Sequence, residues 1–272
     1  MIQIETVEAD GFSMDYFRFG SGKKTMVILP GLSVQSVMKL ADAVAEAYRL
    51  LAGEFTVYLF DQRKEMPEKY SFREMARDTA AAFRKLGLRQ VCLLGVSMGG
   101  MTAQEIALRD PDLVGRLALG SSAALETPQL RKTLARWTRL AKAGDAWGLY
   151  NAFGEDVLSP GLFEQAKALL PGMAESVTEE ELKRFAILSE GLEGFDVRGE
   201  LGKIRCPVLV LAARDDRTMG GDTAVPFEQA FGGRGDFSLY LYEGYGHAAY
   251  DYAPDYKERL LRFFTQPASS SC

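Results

Sequence analysis

Histidine is almost missing from this chain: His247 is the only one. Cysteine is scarce too, and Cys92, Cys206 and Cys272 lie far apart in the sequence. Three scattered thiols cannot build a disulfide framework, and with one imidazole they lack the ligand spacing of a structural zinc site. No metal is therefore expected. Cys92 lies in an apolar run and Cys206 just before Pro207, so both read as small buried hydrophobes. Positive net charge is absent as well. A formal charge of -5 and a pI near 5.2 argue against nucleic acid or an anionic membrane surface as the main partner. No apolar run approaches the about 18 residues needed to cross a bilayer. The opening Met1-Ile2-Gln3-Ile4-Glu5 lacks the basic and apolar regions of a secretory leader, so a cytoplasmic protein with no membrane partner is the expectation. No sequence feature points to an oligomeric state. What remains, 47% hydrophobic and 25% charged residues, is the balance of an ordinary globular protein.

The scarcity of histidine has a chemical consequence. If any serine here attacks with the help of an imidazole, its partner is already chosen. The serine that invites this reading is Ser97, in Gly95-Val96-Ser97-Met98-Gly99-Gly100. An apolar run over 91–94 precedes it and a helical stretch over 101–108 follows it. A serine on a strand that turns at once into a helix sits in strained backbone, and glycines at 95 and 99 remove Cβ atoms that would collide across the turn. Gly100 lets the helix lie close to its neighbours. The amide of Met98, at the helix start, has no partner within the helix and carries partial positive charge suited to an oxyanion.

Short apolar runs recur at 26–29, 55–60, 91–94, 117–119 and 208–211. Their nearly unbroken apolarity indicates strands buried on both faces, as in a parallel sheet. Two earlier segments, 3–9 and 12–19, read as an antiparallel hairpin turning near Asp10-Gly11, and a last strand is expected over 237–242. Ser71 with Glu74 forms a capping-box pattern for a helix that stops at Gly87, and Pro254 suits the first turn of a final helix through Phe264. The alternation predicts an α/β fold, with a mostly parallel eight-stranded sheet and helices on both faces.

Between residues 120 and 207 the rhythm breaks. Leu130, Leu134, Trp137 and Ala141 share one helix face, a second helix is expected after Ser159-Pro160, and Thr178 with Glu181 caps a third carrying Leu182, Phe185 and Ala186. This stretch, 125–199, reads as a helical cap inserted into a core made of residues 1–124 and 200–266, lying over the edge where α/β sheets bind ligands. Pro267 to Cys272 reads as a disordered tail.

An activated serine needs a base, and the base needs an orienting acid. His247 lies in Glu243-Gly244-Tyr245-Gly246-His247-Ala248-Ala249, after the last strand. The loop Ala213-Arg214-Asp215-Asp216-Arg217, after the strand over 208–211, offers two carboxylates. The chain order serine, aspartate, histidine belongs to one fold in particular.

On these residues the chain resembles the α/β-hydrolase superfamily over nearly its whole length. The resemblance rests on the turn at Ser97, the stretch from Phe195 through Leu211, the acid loop and Gly246-His247-Ala248. In the family pattern the acid lies three residues past a small residue closing the strand. Ala213 takes that place, which makes Asp216 the first choice and Asp215 the reserve. The resemblance further implies an oxyanion hole from the amides of Leu32 and Met98, although Pro30 stands where relatives carry histidine. Asp61-Gln62-Arg63-Lys64-Glu65 likewise departs from the usual Asp-x-Arg-Gly-x-Gly.

The activity implied is hydrolysis of a carboxylic ester or related acyl bond of a small molecule, through an acyl-enzyme and with no cofactor. Serine at 97 argues against the family's haloalkane dehalogenases and epoxide hydrolases, which attack with aspartate. Lactone opening, thioester hydrolysis, carbon–carbon cleavage beside a ketone and acyl transfer remain open, as does a hydrolase-fold receptor with little turnover, or a scaffold. Trp137, Trp147, Tyr150, Phe153, Phe163 and Phe185 in the insertion suit an apolar substrate group or, for most of them, the insertion's own core.

Overall fold

The computed structural model describes residues 1–267. Eight strands form one sheet in the order β1-β2-β4-β3-β5-β6-β7-β8. The antiparallel hairpin β1 (Ile4–Ala9) and β2 (Phe12–Phe19) occupies one edge, and β2 pairs antiparallel with β4 (Phe55–Arg63). From there β3 (Lys24–Leu29), β5 (Val91–Val96), β6 (Val114–Gly120), β7 (Val208–Ala213) and β8 (Phe237–Tyr242) run parallel to β4. Every residue of β5 and of β7 is buried, as unbroken apolarity requires of strands covered on both faces.

Helices cover both faces. On one lie α1 (Ala41–Ala47), α10 (Ala249–Tyr252) and α11 (Tyr256–Thr265), over a core that includes Phe17, Ile28, Leu94, Leu211 and Leu260. On the other lie α2 (Phe72–Lys85), α3 (Met98–Arg109) and α9 (Val225–Phe231), against Val27, Leu93, Leu117 and Val210. Ser71 and Glu74 make the expected reciprocal cap of α2, and Gly87 takes φ +69° just past its end, as a left-handed helix stop does.

Between β6 and β7 the chain forms α4 (Pro128–Lys142), α5 (Ala146–Val157), α6 (Pro160–Ala166), α7 (Leu170–Glu175) and α8 (Glu179–Glu190). Its two ends meet at an isolated bridge, Leu125 with Asp196, backed by Glu126 N to Phe195 O at 2.6 Å and Val197 N to Ala124 O at 2.9 Å. The helical segment thus leaves and rejoins the sheet at one place.

Four details differ from the sequence reading. The insertion holds α5 and α7 besides the helices foreseen. Gly148 and Gly154 interrupt the apolar period of α5, and Asp145, which accepts from Gly148 N at 2.8 Å, starts it. The strand expected over 55–60 continues to Arg63. Pro254 lies outside the last helix, which starts after Asp255. Cys206 is half-buried, whereas Cys92 is buried; desolvation pushes both thiols up to about 11. Of the expected disordered tail, 268–272 lie outside the described residues. The carbonyl of Pro267 accepts a hydrogen bond from Arg116 at 3.2 Å.

Candidate active site

Ser97 separates β5 from α3 with φ 55° and ψ -121°, a backbone conformation rare outside glycine. Neighbouring strands hold it there. Its amide donates to Gly120 O at 2.9 Å, and its carbonyl accepts from Ser122 Oγ at 2.9 Å. The glycines behave largely as steric reasoning requires. A Cβ on Gly95 would lie 2.5 Å from Gly99 O and 2.6 Å from Gly100 Cα. One on Gly99 would strike the backbone of Leu29 and Pro30 instead, so this glycine admits the loop after β3 rather than the facing strand end. One on Gly100 would meet Ser122.

The three residues singled out as nucleophile, base and acid come together although the first and last are 150 positions apart. His247 Nε2 lies 2.9 Å from Ser97 Oγ, and Nδ1 lies 2.7 Å from Asp216 Oδ2. All three are buried. A carboxylate can only accept, so Nδ1 carries the proton and Nε2 is left to accept from the serine hydroxyl. The second oxygen of Asp216 accepts from the amides of Thr218 and Met219, both at 2.8 Å, which aims the carboxylate. Asp215 makes no hydrogen bond to His247. Its Oδ2 accepts from Gly244 N and Gly246 N, each at 3.1 Å, and so braces the loop that carries the histidine.

Leu32, buried, follows β3 in the loop beside the serine, and a Cβ added to the nearby Gly31 would be 3.0 Å from Ser97 Cβ. Met98, also buried, is the first residue of α3. The helical segment between β6 and β7 touches the loops that carry Asp216 and His247. Leu158 bridges to Gly246, Ala248 N donates to Val157 O at 3.1 Å, and Thr218 Oγ1 donates to Asp156 O at 3.0 Å. Of the insertion's aromatics, Trp137, Phe153 and Phe185 pack on one another with ring centroids 4.6 to 6.3 Å apart, while Trp147 is exposed.

Several contributors escaped sequence reasoning. Ser122, the amides of Thr218 and Met219, and the contact of Arg184 with Asp61 carry no local pattern. Asp61 drew notice only as part of a motif whose glycines are missing. Among the described residues, no group of three or more His, Cys, Asp or Glu could hold a metal ion. No helix among them is long and apolar enough to cross a membrane.

The comparisons with known proteins agree with this architecture. The model of the alpha/beta hydrolase family matches residues 26–258. The 3-oxoadipate enol-lactonase 2 of Acinetobacter baylyi is 23% identical over 225 residues, covering 78% of this chain and 79% of the relative. A protein of Pseudomonas syringae that carries the name carbamate hydrolase RutD is 28% identical over 242 residues, covering 82% and 89%. Among solved structures, MGS-M2, an alpha/beta hydrolase from a Medee basin deep-sea metagenome library, superposes with a TM-score of 0.85 at 21% identity, over 97% of this chain and 98% of that one. With the family model spanning most of its length, the chain belongs to the alpha/beta hydrolase family and is an enzyme of that fold.

Proposed function

We propose that the protein is a serine hydrolase that cleaves a carboxylic ester, or a related acyl bond, of a small molecule. The observation that carries this reading is the line of contacts Ser97 Oγ to His247 Nε2 at 2.9 Å and His247 Nδ1 to Asp216 at 2.7 Å. His247 takes the serine proton as Oγ attacks the carbonyl carbon. Asp216 holds the imidazole in the needed tautomer and offsets the charge it gains. The amides of Leu32 and Met98 receive the oxyanion, a task for which losing one donor costs about 3 kcal/mol of barrier. His247 then protonates the leaving alcohol, and water repeats the cycle to release the acid. No step calls for a cofactor.

In this reading residues 125–199 are a cap over the carboxyl edge of a core formed by 1–124 and 200–266. The packing of Trp137, Phe153 and Phe185 on each other supports a role for those rings in the cap's own stability rather than in a substrate pocket. A cyclic ester belongs in any substrate panel, because one relative bears the name enol-lactonase.

The test is hydrolysis of p-nitrophenyl esters of graded chain length and of simple lactones by wild type, Ser97→Ala and His247→Ala. The expected outcome is turnover by wild type and a loss of about 10⁴-fold or more in each variant. Full binding of a small molecule by folded wild type, with no turnover of any ester or lactone, would replace the reading with a receptor.

A further inference from the structure

The loop between β3 and the short helical turn at Val37–Leu40 carries Leu32, and it has little regular backbone pairing to hold it. Its one backbone tie at that turn is Lys39 N to Ser36 O at 3.3 Å. Two local side-chain bonds, Ser33 Oγ to Gln35 O at 2.7 Å and Met38 N to Ser36 Oγ at 3.2 Å, add to it, and side chains of the insertion tie it outward. Gln35 Nε2 donates to Ser176 O and to Glu181 Oε2, each at 3.2 Å. Tyr150 donates to Gln35 Oε1 at 3.3 Å, and Lys39 Nζ reaches Glu181 Oε1 at 2.7 Å. The most enclosed contact is a chain of three: Ser36 Oγ donates to Asp61 Oδ2 at 2.5 Å, and Asp61 Oδ1 pairs with Arg184 of α8. Asp61, two residues before the end of β4, is 8% exposed and the Arg184 side chain 17%, so the pair acts with less screening than a surface pair.

An oxyanion donor works only where it is held, and displacement of a catalytic group by about 1 Å can cost on the order of 100-fold in rate. We propose that Arg184 is a positioning residue: through Asp61 and Ser36 it sets the loop that presents the Leu32 amide, so that the oxyanion site is complete only when α8 is docked. The proposal rests on the serine-hydrolase reading for its chemical consequence, but not for the mechanical coupling. Arg184, whose partner is Asp61, makes no hydrogen bond to Ser97 or His247. It acts by fixing the loop between them and α8.

The experiment is hydrogen exchange by mass spectrometry on the full chain, wild type against Arg184→Gln and Arg184→Lys, with ester kinetics on the same samples. In Arg184→Gln, amides of 31–40 and of α8 should exchange faster together, on the order of tenfold, with β5 unchanged. kcat should fall about 10- to 100-fold, with KM altered less than about threefold, and Arg184→Lys should recover part of both. A rise confined to α8, or an unchanged kcat in Arg184→Gln, would overturn the proposal. A global rise that includes β5 would do so as well, because it would make Arg184 a stability residue. If wild type turns over no ester, the hydrolase reading fails while the exchange result alone still decides whether α8 and the loop are coupled.

Discussion

The insertion grips the core on two sides, and the grips are chemically different. Beside the acid and histidine loops it is held mainly through main-chain atoms: the carbonyls of Asp156 and Val157 and the bridge at Leu158 on its own side, and on the core side the carbonyls of Met219 and Arg217, which accept from Thr127 and Gln129. Beside the loop after β3 the contacts include pairs of charged side chains, Lys39 with Glu181 and Arg184 with Asp61, in which neither partner uses its main chain. Main-chain contacts persist as long as the local fold does. Charged side chains can part and re-form without disturbing either backbone. The difference makes the side against the loops of Asp216 and His247 the fixed side of the insertion and leaves the contact of α8 with the loop after β3 to charged side chains, while the far end of α8 is tied to the core by Phe72 N donating to Gly191 O at 2.8 Å.

The comparison breaks first at the neighbouring aspartates, where the largest effect is expected. Asp216→Asn should lower kcat by about 10⁴-fold, because an amide can present a donor to Nδ1 and favour the wrong imidazole tautomer. Asp215→Asn keeps an oxygen for the amides of Gly244 and Gly246 and should cost about tenfold or less. Steady-state kinetics on one ester checks both. Equal losses would mean that the loop brace matters as much as the imidazole contact, and the distinction between orienting a group and holding its loop would fall.

Which of these parts could be read from sequence follows from how local their causes are. The turn at Ser97 is legible because strain at one residue demands small neighbours within a few positions, and Gly95, Gly99 and Gly100 meet steric walls in the fold. The choice of Asp216 over Asp215 rests on counting from Ala213, which ends β7. The buried strands are legible from unbroken apolar runs, but their order in the sheet is not. The insertion is legible only where caps and period agree, as in α8 with Thr178 and Glu181. It fails at α5, where Gly148 and Gly154 spoil the period. Of these two glycines, a Cβ at 154 would press on the Phe163 ring at 2.9 Å, a packing demand set by a helix not yet placed. The pairing of Asp61 with Arg184 spans 123 positions, and neither residue signals the other.

The fixed side can next be probed at Gly246. It has φ +61°, and a Cβ there would lie 3.2 Å from Ser159 N and Val157 O, the backbone that meets the histidine loop. Gly246→Ala should therefore cost about 1–2 kcal/mol in left-handed backbone strain, seen as a fall in Tm of about 2–6 °C. Activity should fall further than the unfolded fraction explains, because the strain is borne one residue from His247. A substitution with unchanged Tm and activity would show that this contact is loose, and the two sides of the insertion would no longer differ.

The smallest effect expected is also on the fixed side, at Asp156. Burial raises its carboxyl above the usual range, against the hydrogen bond from Trp137 Nε1 and the charge of Arg136, which lower it. The Trp137 bond is 2.9 Å and Arg136 stands 3.6 Å away. A carboxyl raised on folding binds its proton more tightly in the native state. Its contribution is therefore fully present below the unfolded value of about 3.9 and is lost as pH rises through the folded one. Asp156→Asn keeps an acceptor for Trp137 and never ionises, so it should raise Tm slightly at pH 7, with the gain shrinking to nothing as pH falls toward the unfolded value. Thermal melts at a series of pH values check this. A variant that melts lower than wild type at pH 7 would mean that the Arg136 pair outweighs desolvation, and a charged side-chain contact would then strengthen the fixed side as it does the α8 side.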